Sequence, residues 1–241
     1  MKTVPALALA LLLIGTATPS LAHGTAAAWY GGQTTETAEG WRVEFAIRDG
    51  GVRAWVRDHD DKPVAASGKV VLLVGGKKVE AALKADGEAL SADIAVNAAD
   101  KVTAILSLSV GGKPSSARFA QEAVTIPALN PQAAAGKQTF DRVCATCHGP
   151  ALRGSDAAPP LLHPLYAPGS GHGDDVVLAA IRTGAKSHMW KFGDMPKPEG
   201  VKSGQETDIL AYIRSIQAAN GLGNAPAITD PAAPRPHAGH H

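Results

Sequence analysis

The sequence predicts two domains, an N-terminal antiparallel β sandwich or barrel followed by an all-α domain. Three observations predict it. Short segments of alternating polarity, separated by glycine turns, fill the chain from about residue 27 to 124. The stretch Ile126-Pro127-Ala128-Leu129-Asn130-Pro131 ends that pattern between two prolines. Beyond it, apolar residues recur at helical spacing. The 241 residues are 45% hydrophobic, enough for two cores, and the 5% aromatic content leaves packing to Ala, Val and Leu.

The first 22 residues read as a signal peptide. Lys2 supplies the positive end, Ala6 to Ile14 is an apolar run too short for a permanent span, and Ser20-Leu21-Ala22 offers a cleavage site. The expectation is a periplasmic protein with no permanent membrane span. Loss of Lys2 takes the formal charge from +1 to zero. Acidic and basic residues are intermixed in both halves, which excludes the basic stripe of a nucleic-acid binder.

The β domain is placed at 23–128. Trp41 to Ile47 alternates like a half-buried strand, Asp49-Gly50-Gly51 turns, and Val52 to Val56 returns. Lys69 to Val74 and Lys77 to Leu83 flank Gly75-Gly76 as a second hairpin. Lys101 to Val110 is a longer strand, closed by Gly111-Gly112-Lys113-Pro114.

The helical domain is placed at 129–222. Asn130 suits an N-cap and Pro131 the first helical position, so a helix should run to about Val143. Asp174-Asp175 precede a short helix over Val176 to Ile181. Gln205 to Ala219 forms a third, with Ile209, Tyr212, Ile213 and Ile216 on one face. Residues 223–241, rich in Pro, Ala and His, read as a disordered tail.

The first helix delivers Cys144-Ala145-Thr146-Cys147-His148, the attachment signature of a c-type haem. Two thiols at this spacing reach two vinyl groups of one porphyrin, and the next residue is a histidine held beneath the ring. A disulfide would leave that histidine unexplained. Zinc would need a second ligand pair that the motif lacks. For the sixth ligand, Met189 and Met195 are the methionines after Met1. Gly193-Asp194-Met195-Pro196 favours Met195, since glycine permits a tight approach and proline stiffens the loop. Met189, among bulkier neighbours, reads as core filler. His163, His172 and His188 read as exposed loop histidines.

From about Pro131 to Leu222 the chain resembles the small single-haem c-type cytochromes. Gly136-Lys137-Gln138-Thr139-Phe140 looks like their first helix, Gly193 to Pro196 like their methionine loop, and Gln205 to Arg214 like their last helix. The resemblance implies an all-α cytochrome c-like fold, one covalent haem c, redox partner proteins and electron transfer rather than catalysis. His148 and Met195 would then ligate the iron, and Cys144 and Cys147 would hold the ring.

Residues 23 to 121 are similar to small periplasmic β modules of metal-handling proteins, on Val52 to Val64 and Gly111 to Pro114. Cleavage after Ala22 would put the α-amine and imidazole of His23 on one residue, a chelate suited to copper. His237, His240 and His241 repeat the theme in the tail. A metal-binding or metal-responsive protein with a redox domain is therefore the alternative function. Asp58, His59 and Asp60 could form a metal corner, although such clusters are more often turns.

Overall fold

Residues 27–223 are described by the computed structural model. Eight strands come first: β1 (Gln33–Glu36), β2 (Arg42–Arg48), β3 (Gly51–Arg57), β4 (Ala66–Val74), β5 (Lys77–Asp86), β6 (Ala89–Asp93), β7 (Val102–Val110) and β8 (Lys113–Gln121). They form one antiparallel sheet in the order β1-β2-β3-β6-β5-β4-β7-β8. The two edge strands approach each other, and Ser115 Oγ on β8 donates to Glu39 Oε2 just past β1 at 2.6 Å. The sheet is thus a nearly closed barrel, which decides between the two expected architectures and leaves little exposed edge.

Alternation fills the barrel. On β7, Val102, Ala104, Leu106, Leu108 and Val110 are buried, while Thr103 and Ser107 between them are exposed. These residues meet Phe45, Val70, Leu72 and Phe119 in the core. A fully buried side chain such as Phe45 contributes about 1.5–3 kcal/mol. Gly111 and Gly112 have φ of 57° and 78°, the backbone of a two-residue hairpin turn. The expected closing segment is therefore the turn into β8, a strand that the sequence analysis did not foresee.

β2 departs from its expected half-exposed character. Val43, Phe45 and Ile47 face the core, yet Glu44 and Ala46 between them, and Arg48 after them, are buried as well. The outer face is covered by the segment preceding β1, where Tyr30 packs with Ala46, Trp55 and Ala89. Asp58, His59 and Asp60 make a turn: Asp58 Oδ1 accepts from the N–H groups of Asp60 and Lys62 at 2.9 Å each. His59 there is 84% exposed.

The second half is helical: α1 (Pro131–Val143), α2 (Ala145–His148), α3 (Asp174–Thr183) and α4 (Gln205–Ala219). Asn130 caps α1 by accepting from Ala133 N–H at 2.8 Å. α1 crosses α4 at Gly136, where a Cβ would lie 1.8 Å from the Asp208 carbonyl oxygen. Phe140 and Tyr212 pack at that crossing with ring centroids 5.3 Å apart. α3 begins two residues before the expected Val176, because Asp174 and Asp175 form its first turn. Among the described residues no helix is long and apolar enough to cross a membrane. The proposed signal peptide, His23 and the tail histidines lie outside the described residues.

Candidate functional site

α1 ends at Cys144, and the short α2 turns the chain so that Cys144, Cys147 and His148 open onto one cleft. Cys144 is half-buried and Cys147 exposed, both as free thiols. Burial pushes the Cys144 thiol up to about 11. His148 is buried, and its Nδ1 lies 2.9 Å from the Pro159 carbonyl oxygen. A carbonyl only accepts, so Nδ1 carries the proton and Nε2 keeps the lone pair. Burial holds the imidazole below its ordinary range, opposed by the bond to Pro159.

The stretch from Ala185 to Pro198 lines the same cleft and brings both Met189 and Met195 to it. Met195 is the better fixed of the two. Its N–H and C=O pair with Ala185 at 2.8 and 2.9 Å, tying the loop to the end of α3. Gly184 makes room for that pairing: it has φ of 78°, and a Cβ there would meet the Met195 carbonyl at 2.4 Å. Gly193, expected to allow a close approach, does something else. Nothing lies within 4 Å of its Cβ position, and its role is the φ of 84°.

The remaining walls are apolar, supplied by Phe140, Leu161, Val177, Ile181, Ile209 and Ile213. The cleft is open to solvent on one side, with these apolar side chains forming its floor and walls. Val176 remains 37% exposed at it. These apolar walls suit a flat, largely apolar macrocycle. The donor set fits it too, with two thiols, an imidazole lone pair and a soft thioether.

Residues 133–217 match the family model for cytochrome c. The helical half therefore contains a cytochrome c domain, which implies haem c, electron transfer and redox partner proteins. No curated protein and no solved structure matches the chain. The match does not reach the barrel, so the resemblance of that domain to metal-handling modules has no support from it. Copper at His23 rests on the sequence alone. Among the described residues no group of three or more His, Cys, Asp or Glu side chains is placed to hold a metal ion.

The three loop histidines are not alike. His188 is exposed as expected, but His163 and His172 are partly buried. His172 and His188 line the cleft and share a hydrogen bond between their Nε2 atoms at 2.9 Å. His188 Nδ1 faces the Lys186 carbonyl at 3.0 Å and donates there, so its Nε2 accepts from His172. His163 caps the turn Pro164–Tyr166 by accepting from Leu165 N–H at 3.1 Å, and its ring stands edge-on to Trp190. Burial pushes it down to about 4.

That shift predicts acid sensitivity. Between pH 6.5 and 4 the unfolded chain holds a proton on His163 that the folded chain does not, so stability falls as pH falls through this window. The loss should be about 2–3 kcal/mol. His163→Asn keeps an acceptor for Leu165 and removes the titration. Denaturant unfolding of the haem-loaded protein at pH 7 and pH 4 should show the variant losing about 2 kcal/mol less than wild type. Equal losses in the two proteins would reject this assignment.

Sequence reasoning missed the Pro159 carbonyl. Its only signal was the rigid Ala158-Pro159-Pro160 shortly after the haem motif. It also missed Tyr166, whose hydroxyl accepts from Trp190 Nε1 at 2.9 Å and links two cleft-lining loops.

Proposed function

We propose that this protein is a periplasmic electron carrier with one haem, held by thioethers from Cys144 and Cys147 and ligated by His148 and Met195. The carrying observation is that these four residues, from two separate stretches of chain, line one apolar cleft. When bound, the haem supplies a one-electron couple at its iron. The protein's residues supply the rest. Pro159 orients the His148 imidazole, the pairing of Met195 with Ala185 fixes the thioether's backbone, and the apolar walls exclude water. With His148 and Met195 both holding the iron, the soft sulfur would raise the potential and substrate would have to displace a protein ligand, which supports a carrier over an enzyme. The periplasmic location and the domain limits 23–128 and 129–222 are part of the proposal and follow from the sequence.

The test is spectroscopic. The oxidised protein should show the weak near-infrared sulfur-to-iron band of methionine-ligated haem. Met195→Ala should abolish it and lower the potential, while Met189→Ala should leave it in place. The reverse pair of results would move the ligand to Met189.

A further inference from the structure

The segment before β1 touches both stretches of chain that line the cleft, and a buried carboxylate on the barrel holds it there. Glu44 on β2 is 0% exposed. Its oxygens accept from the N–H groups of Trp29, Tyr30 and Gly32 at 2.7, 2.8 and 2.9 Å. Arg57, also buried, stands 3.8 Å from that carboxylate, and its guanidinium lies 4.3 Å over the Trp29 ring. A barrel wall does not need a buried acid there, since an apolar side chain would pack at least as well. What Glu44 gives is one fixed backbone geometry for residues 29–32.

The other side of this strap faces the cytochrome half. The Trp29 carbonyl accepts from Lys191 N–H at 2.9 Å. Lys191 Nζ sits 3.1 Å over the Trp29 ring, so the indole is held between a cation of the barrel and a cation of the methionine loop. Tyr30 meets Phe192 edge-on at 5.8 Å. Gly31, with φ of 67°, lies so close to Pro160 that a Cβ would come within 2.3 Å of its Cδ. Pro160 follows Pro159, the residue that orients His148.

We propose that Glu44 and Trp29 are positioning residues for the iron's sixth ligand, acting through the strap 29–32 on the loop that carries Met195. This rests on the reading of Met195 as that ligand. The barrel then serves the redox site directly, by restricting the excursions of the loop that would release the thioether. An external ligand binds the iron only in the fraction of molecules whose thioether is away. Its apparent affinity therefore reports that fraction.

The experiment titrates the oxidised, haem-loaded full chain with imidazole and follows the shift of the main haem absorption band, which wild type and every variant carry. Trp29→Ala and Glu44→Gln should each tighten apparent imidazole binding about tenfold, the effect of losing one well-made anchoring interaction. Leu73→Ser, on an exposed position of β4, should leave it unchanged. Far-UV circular dichroism establishes that each variant is folded. If Glu44→Gln does not fold, Trp29→Ala and Lys191→Ala decide, since each removes the stacking of Lys191 on the Trp29 ring without burying an unpaired group. Wild-type affinity in the folded strap variants would overturn the proposal. Met195→Ala separates the two readings. If it tightens binding and the strap variants do not, the strap alone fails; if it does not tighten binding, the ligand assignment fails and the strap proposal with it.

Discussion

Acidified organic solvent is expected to leave the haem on the wild-type protein and to strip it completely once Cys144 and Cys147 are both replaced by alanine. Acid and solvent destroy the cleft, so every non-covalent contact is lost and thioether bonds alone can retain the ring. The two thiols are presented for this at the end of α1 and within α2, one half-buried and one exposed. Their rival fate in an oxidising compartment is a disulfide. A disulfide would give no role to His148, which opens onto the same cleft as the two thiols. Each single replacement leaves one thioether, so haem should stay attached with an altered spectrum. His148→Ala should keep the haem attached and abolish the low-spin spectrum. Free extraction of haem from the wild-type protein would show that the motif does not bind it covalently.

Much of this site was legible because its chemistry is written in contiguous residues. The Cys-x-x-Cys-His run, the Asn130-Pro131 start of α1 and the period of α4 each depend on neighbours within one or two turns. The barrel was legible where alternation was strong, as on β7, and illegible where it was weak. β8 turns Ser115, Ala117 and Phe119 inward, and two small residues of three give little hydrophobic signal. β6 has five residues and β1 four, too short for a period to register. The buried outer face of β2 could not be read at all. Glu44 and Arg48 look like solvent-facing residues of an alternating strand, and only the fold shows that a segment from earlier in the chain lies over them. The choice between Met195 and Met189 turned on loop chemistry. The sequence pointed to the wrong glycine, since Gly184 rather than Gly193 makes the close approach to Met195.

Gly136→Ala should destabilise the cytochrome half by about 3 kcal/mol, the upper range for forcing a methyl group into a packed site. Two effects of opposite sign meet at this residue. Alanine is the better helix former by about 1 kcal/mol, so propensity alone predicts a gain. Against it stands the crossing with α4, where the new Cβ would sit 1.8 Å from the Asp208 carbonyl oxygen and 2.8 Å from Ile209 N. These are backbone atoms inside a helix, and no rotamer change can move them aside. α1 and α4 would have to separate, which opens the contact of Phe140, 0% exposed, with Tyr212, also 0% exposed. Overpacking therefore wins. The damage reaches the haem, because the helix that shifts is the one that ends at Cys144. Denaturant unfolding of the haem-loaded protein measures the effect, with Gln132→Ala on the exposed side of α1 as a control expected within about 0.5 kcal/mol of wild type. A variant as stable as wild type would mean that the crossing yields at little cost and that glycine is not required where these helices meet.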